Sequence, residues 1–521
     1  MRQLYPEGFN RGFTETFARY GILLDRLAMA EVNGFTYHQP QPFDLPGPDG
    51  PMSPEEIGAE FERRVALAEE TFNVKRWRSD LEEWDDSYKP TAIGQHLEFD
   101  GIEIEALADD ELVDHLDAVA AHVTEMVYQH HRFNMAAILP VGDMAVQIAG
   151  WVRRPPTEVL ALVNGYSPIS NVASSEMTEA MDAIRREGLE AMLAGGDGAA
   201  DRLAELCARC PEVDRYVRLV QNRVIDGFDV TNPTLREHPG LILGKLAAGL
   251  GADPNAARIK SDELAANLRE QTPMEHRDQF DGLVEEARLV YRLRDERGIY
   301  SEITAIGLLR RALLEIGRRA FERGQLTDVE LLTEATTEEA ASILRGGGPS
   351  AEDLIERRDV RQELTEAGAP RFLGDPPPPP PPLEELPPPM ARMMGGVGFM
   401  IESILGQLDS AQGDDAVIGG IGVVDTIVEG PARLIGDVAD LLDVDDGDIV
   451  VASATSEAIN SVLHLIGAIV TDHGSHACHA AIVAREMGFP AVVGTVDATK
   501  RVRDGDRLRV DGGKGEVTIL P

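Results

Sequence analysis

Cysteine is scarce in this chain, with three in 521 residues. Three thiols cannot build a disulfide framework, so a reducing cytoplasm is the expected compartment. Two of them, Cys207 and Cys210, form a C-x-x-C in "ELCARCPEV". That pair sits in a helical pattern with no βαβ setting and no second pair of ligands, so a structural role is expected rather than a redox or zinc site. Positive charge is also short. Ninety acidic residues face 49 basic ones, the formal net charge is −41, and arginine far outnumbers lysine. Without a cationic footprint, neither a nucleic-acid surface nor docking on an anionic membrane is expected. Long apolar runs are lacking too. The most apolar stretch, Met135–Val152, is interrupted by Pro140 and Asp143, and "MRQLYPEGFNRGF" has no apolar core of the kind a secretory signal needs.

What is present suits a protein of two to four domains: 43% apolar and 27% charged residues. Residues 1–374 read as one large, mainly α-helical domain. "DDELVDHLDAVAAHVTEMVYQHHRF" carries apolar residues three and four apart, with acids in its first turn. "EITAIGLLRRALLEIGRRAFERG" places Ile303, Ile306, Leu309, Leu313, Ile316 and Phe321 on one stripe, with Gly324 as its stop. Strand-like alternation is scarce. The composition then breaks at "GDPPPPPPPLEELPPPM", where Pro376–Pro382 form a stiff polyproline spacer of about 22 Å. "MARMMGGVGFMIESILGQL", Met390–Leu408, reads as a short Met-rich helix, and its "MMGGVG" as a pivot. Residues 375–417 are therefore expected to be a linker. From residue 418 to 521, short runs such as "GDIVVASAT", "IGAIVTD", "PAVVGT" and "RLRVDGG" alternate with two helical stretches, the pattern of a small α/β domain.

The histidines of "HGSHACHAAIVAREMGFPAVVGT", from His473 to Thr495, are the chemistry-bearing feature of that domain. His479 precedes "AAIVAREMG" and follows the strand "GAIVTD", which sets it at a helix N-terminus on a strand–loop–helix junction. Free N–H groups and the helix dipole favour a phosphoryl group there, and neutral imidazole is a good nucleophile near pH 7. On these residues alone three readings stay open: a zinc site with His473, His476 and Cys478, a structural core histidine, or a nucleophile.

The longer pattern "GDIVVASAT…AIVTDHGSHACHAAIVAREMGFPAVVGT…DGDRLRVDGGKGEV" resembles the phosphohistidine, or swivelling, domain of the phosphoenolpyruvate-utilising enzymes, a group that includes phosphoenolpyruvate synthase, pyruvate phosphate dikinase and rifampin phosphotransferase. The resemblance implies that His479 carries the phosphoryl group and that Gly474, Ser475 and Cys478 form the turn that steadies it. Ser475 stands where the family has a second glycine, and His476-Ala477 where it has Arg-Thr. "YRLRDERGIYSEITAIGLLRRALLEIGRRAFERGQLTD" is similar to the late substrate-domain helices of the rifampin phosphotransferase branch.

Neither the family's nucleotide-binding ATP-grasp module nor its pyruvate barrel is visible in the sequence. The resemblance therefore implies the split layout of the phenylphosphate synthases. ATP and magnesium would be held by a partner ATP-grasp subunit, with no cofactor or metal on this chain. His479 would relay a phosphoryl group to the hydroxyl of a small apolar acceptor, a phenol in the leading case. Arg294 and Arg297, three apart in "LRDERG", are the cationic candidates, with an ordinary solvated face as the alternative. His130 and His131, in "YQHHRF", are the candidate bases and acceptor-binding residues. The rival expectations are a rifampin-type antibiotic phosphotransferase component and a non-enzymatic phosphocarrier or regulatory subunit.

Overall fold

The computed structural model describes residues 4–32, 35–44, 50–167, 174–193, 196, 198–225, 227–251, 255–364, 369–370, 372–374, 380–405, 417–436, 438–455, 457–463 and 465–520. Helices dominate the first four hundred residues, and those that bear on the site are α1 (Leu4–Tyr20), α2 (Asp109–Arg132), α3 (Asn134–Val152), α4 (Pro239–Gly251), α5 (Ala256–Gln271), α6 (Arg277–Val290), α7 (Leu293–Ile299), α8 (Glu302–Glu322) and α9 (Pro388–Leu405).

Helix α1 buries Phe9, Phe13, Phe17 and Tyr20, spaced three and four apart, against α2. Close approach of the two backbones explains Gly8 and Gly12: a Cβ on Gly8 would lie 2.4 Å from the Thr124 carbonyl oxygen, and one on Gly12 2.7 Å from His131 Cβ. Helices α2 and α3 together are long and apolar enough to cross a bilayer, yet 72% of their most apolar window is buried inside the protein. They form the middle of the helical core. In α8, Ile306, Leu309, Leu313 and Ile316 are buried as the stripe requires, but Phe321 is exposed because the last turn runs past the core. Gly324 closes that helix with φ +72°. A hairpin of β1 (Leu24–Val32) and β2 (Phe35–Pro42) also stands in this region, antiparallel and unanticipated.

The segment expected to be a linker differs most from the sequence reading. Residues 388–405 form α9, and its Met390, Met393, Val397 and Met400 are buried in the main helical core. The glycines of "MMGGVG" lie inside this helix. Gly396 meets Gly142 of α3 so closely that a Cβ on Gly142 would sit 2.1 Å from the Gly396 carbonyl oxygen. Arg392 pairs with buried Asp143 at 2.6 Å across the same contact. Glycine here serves a close helix crossing, not a pivot. Residues 376–379 of the proline run lie outside the described residues.

The C-terminal unit is an eight-stranded mixed sheet: β3 (Val417–Gly419), β4 (Ile421–Val423), β5 (Ile427–Ile435), β6 (Ile449–Ala452), β7 (Ala468–Thr471), β8 (Ala491–Val493), β9 (Arg507–Asp511) and β10 (Glu516–Ile519), in the order β3-β10-β9-β5-β6-β7-β8-β4. Strands β5 to β8 run parallel, and β6 and β7 are buried at every residue, which explains their unbroken apolar runs. The crossover from β7 to β8 carries α10 (His479–Met487). The stretch read as a helix near residues 456–465 contains only a 3-10 turn, Glu457–Ser461. One face of the sheet domain shares an apolar core with the helical region. Leu241, Ile242, Leu243 and Leu246 of α4 pack in one cluster with Leu441, Ile459, Val462 and Leu463. The docking brings α10 towards α5 and the α6–α7 turn.

Candidate functional site

His479 is the first residue of α10, and Cys478 is its N-cap in extended conformation, with no side chain capping the helix. The amides of the first turn are therefore open to an incoming group. The helix ends at Gly488 with φ +85°, as the sequence implies. Upstream, Gly474 adopts φ +128°, and a Cβ there would meet Cys478 Sγ at 2.7 Å, so the turn needs glycine twice over. Ser475 is buried and Ala477 N–H donates to the Ser403 carbonyl of α9 at 2.8 Å. The end of the helical core thus braces the histidine loop.

The His479 ring is held by Thr455, whose Oγ1 lies 3.2 Å from Nδ1. Nε2 is shut off from solvent and has no hydrogen-bond partner, although the residue keeps part of its surface open. With the proton on Nδ1, the lone pair of Nε2 is free to attack. Burial, and next the neighbouring Arg294 charge, push the imidazole down to about 4, so the ring is neutral at physiological pH.

Arg294 faces His479 across the domain contact. Burial opposes its charge, but Asp295, Tyr291 and Glu486 together hold its pKa above the usual arginine value. Its Nη1 has no hydrogen bond. A buried guanidinium with a free donor beside a nucleophilic ring is an arrangement for phosphoryl oxygens. Arg297, one turn along α7, donates from Nη1 to the His130 carbonyl at 3.2 Å. Burial lowers its pKa to about 10 against the pull of Glu302, which leaves it cationic at neutral pH. Neither arginine is on a solvated face: Arg297 is 7% exposed and the Arg294 side chain 18%.

His130 and His131 end α2 on the far side of Arg297. His130 Nδ1 lies 2.5 Å from Oε1 of Glu302, a carboxylate with no exposed surface. His131 packs among aromatic rings, with centroids 4.4 Å from Phe9 and 5.0 Å from Phe13. Burial lowers both histidines well below the ordinary value. An apolar groove of about 840 Å³ opens beside this wall, lined in part by Tyr5, Met29, His38, Phe228, Leu309 and Leu313.

The remaining candidates separate clearly. His473 is exposed, while His476 is half-buried and its carbonyl accepts from Arg485 Nη1 at 2.5 Å. Among the described residues no group of three or more His, Cys, Asp or Glu could hold a metal. Cys207 and Cys210 are free thiols, and burial pushes Cys207 up to about 11. Sequence reasoning missed Thr455, Tyr291 and Glu302. Only Glu302 carried a signal, as a lone acid just behind "LRDERG", and it reads equally well as an ordinary first-turn acid.

Comparison with known proteins agrees with this geometry. Residues 444–515 match the family model described as PEP-utilising enzyme, mobile domain. Chondramide synthase cmdD of Chondromyces crocatus is 31% identical over 329 residues, covering 59% of this chain and 8% of the relative. The uncharacterized phosphotransferase YvkC of Bacillus subtilis is 31% identical over 229 residues, 44% of this chain and 26% of the relative. Rifampicin phosphotransferase of Streptomyces sviceus is 27% identical over 321 residues, 59% of this chain and 34% of the relative. The chain thus spans about a third or less of the length of these relatives.

Proposed function

We propose that this chain, whose C-terminal domain is a mobile domain of the PEP-utilising enzymes, is the phosphohistidine and acceptor-binding component of an ATP-dependent phosphotransferase. A partner subunit of ATP-grasp type binds ATP and magnesium and delivers the β-phosphoryl group to Nε2 of His479, releasing AMP and phosphate. The sheet domain then swings to its docked position against the helical region. There the acceptor hydroxyl attacks phosphorus, the P–N bond breaks, and His479 leaves as neutral imidazole. Arg294 and Arg297 balance the charge on the moving phosphoryl oxygens.

The observation that carries this reading is the unpartnered Nε2 of His479 at the start of α10, facing the free Nη1 of Arg294. The groove beside Tyr5 suits an apolar hydroxylated acceptor, and phenol is the simplest probe of that class. With the partner subunit present, label from [β-32P]ATP is expected on this chain and then on phenol. Label that stays in ATP-derived phosphate, with none on the chain, contradicts the reading. The likeness to rifampicin phosphotransferase over 321 residues favours a second reading in which rifampicin is the acceptor. Offering rifampicin in place of phenol to the labelled chain separates the two.

A further inference from the structure

An acceptor hydroxyl must lose its proton, and the residues around Arg297 hold a concentration of buried polar atoms without hydrogen bonds. Both carboxylate oxygens of Glu302, Nδ1 of His130, both ring nitrogens of His131, Nε of Arg297 and the Ser301 hydroxyl are all in this condition. One buried polar group left without a hydrogen bond costs about 1–3 kcal/mol. Five such residues in one place are not explained by stability. Three elements converge to make the cluster: the last turn of α2, the last turn of α7 and the first residue of α8. His130 Nδ1 touches Glu302 Oε1 at 2.5 Å without the alignment of a hydrogen bond.

The cluster is joined to the phosphoryl donor through α7. Arg294 and Arg297 lie one turn apart on that helix, so their side chains leave the same face. Arg294 acts on His479, and Arg297 acts on His130 and Glu302. A line therefore runs from His479 through the two arginines to the His130–Glu302 pair.

We propose that His130 is the base that removes the acceptor's hydroxyl proton and that Glu302 is the positioning residue that holds its imidazole and balances the charge it gains. The proposal rests on the phosphotransfer reading. The acceptor oxygen donates an electron pair to phosphorus, its proton passes to the free ring nitrogen of His130, and the P–N pair returns to His479. One O–P bond forms, one P–N bond breaks, and the proton ends on the His130–Glu302 pair.

The groups that face this pair are His131 from the same helix, Arg297 from α7 and Tyr5 from α1. Burial, then Arg297 and His131, lower His130, which keeps the base unprotonated at neutral pH. Burial raises the Glu302 carboxyl well above the ordinary carboxylate range, against the pull of Arg297. Arg297 stays cationic and Glu302 is its buried counter-charge, so the resting cluster is net neutral and Glu302 is a strong sink for one proton. Transfer should therefore rise with pH and level off above an inflection that lies higher than an ordinary carboxylate's.

The test uses the full chain, with His479 labelled by the ATP partner or by phosphoramidate, the His479→Ala chain as background, and phenol as probe acceptor. Glu302→Gln should load with label like the wild type but transfer it about ten- to a hundredfold more slowly. KM for phenol should hold within about twofold, and the inflection should move to lower pH. Glu302→Asp should regain part of the rate, and His130→Gln should lose the pH dependence. Normal loading of each variant shows that the fold is intact. Wild-type transfer by Glu302→Gln, or an unmoved pH profile, overturns the proposal. A wild-type chain that takes up no label at His479 overturns the phosphotransfer reading itself. A chain that takes up label but passes none to phenol overturns both the phenol acceptor and the proton-accepting role of the His130–Glu302 pair.

Discussion

Docking of the sheet domain should be weakened by acid through a single side chain. In the docked structure, burial first and Arg294 next hold His479 down to about 4, whereas a solvated imidazole titrates near about 6.5. The docked state therefore binds a proton less readily than the swung-out state. For a lowered value the sign is clear: the docking contribution is complete above the free-ring value and is lost as pH falls towards the docked one. Linkage between those two limits gives a weakening of roughly 2 kcal/mol on going from pH 7 to pH 5, or about twentyfold in the docking equilibrium. Fluorescence transfer between dyes at Lys514 on the sheet domain and Arg345 on the helical domain, both exposed, reads the docked fraction. His479→Gln cannot titrate and is the control for every other acid-sensitive group. Its docking should be about twentyfold less acid-sensitive over that interval. Equal pH dependence in the two proteins would refute the reasoning, because it would place the coupling in some other residue.

Two further outcomes follow from the same structure. Gly142→Ala puts a Cβ 2.1 Å from the Gly396 carbonyl, so α3 and α9 must separate, at a cost of about 1–3 kcal/mol. Its melting temperature should fall by about 2–10 °C, and an unchanged melt would mean that α9 is not a fixed element of the core. Arg294→Gln removes the free guanidinium donor beside His479, and transfer of label from His479 to acceptor should slow by about 10²–10³-fold. A rate within twofold of the wild type would show that Arg294 does not touch the moving phosphoryl group.

The parts of the site written locally in the chain were legible. His479 could be placed at a helix start because the strand before it, the Gly474 turn and the Gly488 stop are all short-range signals. The α8 stripe was legible to Ile316 for the same reason, and failed at Phe321, where tertiary packing stops while the helical period continues. What depends on long-range approach was not legible. The glycines at 395, 396 and 398 read as flexibility, yet Gly396 exists to let α9 cross α3, and nothing in "MMGGVG" names its partner. The β1–β2 hairpin was hidden because "FTYHQPQP" carries two prolines and polar residues where an alternating strand would show apolar ones. Glu302 was invisible as chemistry because its meaning comes from His130, 172 positions away in sequence and 2.5 Å away in space.

The central claim is tested most directly by mapping the phosphoryl group itself. The chain is incubated with [β-32P]ATP and its ATP-grasp partner, digested under alkaline conditions that spare phosphohistidine, and its peptides are sequenced. The account predicts acid-labile, base-stable label on His479 within "HGSHACHAAIVAR", and none on the His479→Ala chain. Label on His473, His476 or a residue of the helical domain, or full transfer activity in His479→Ala, would contradict it.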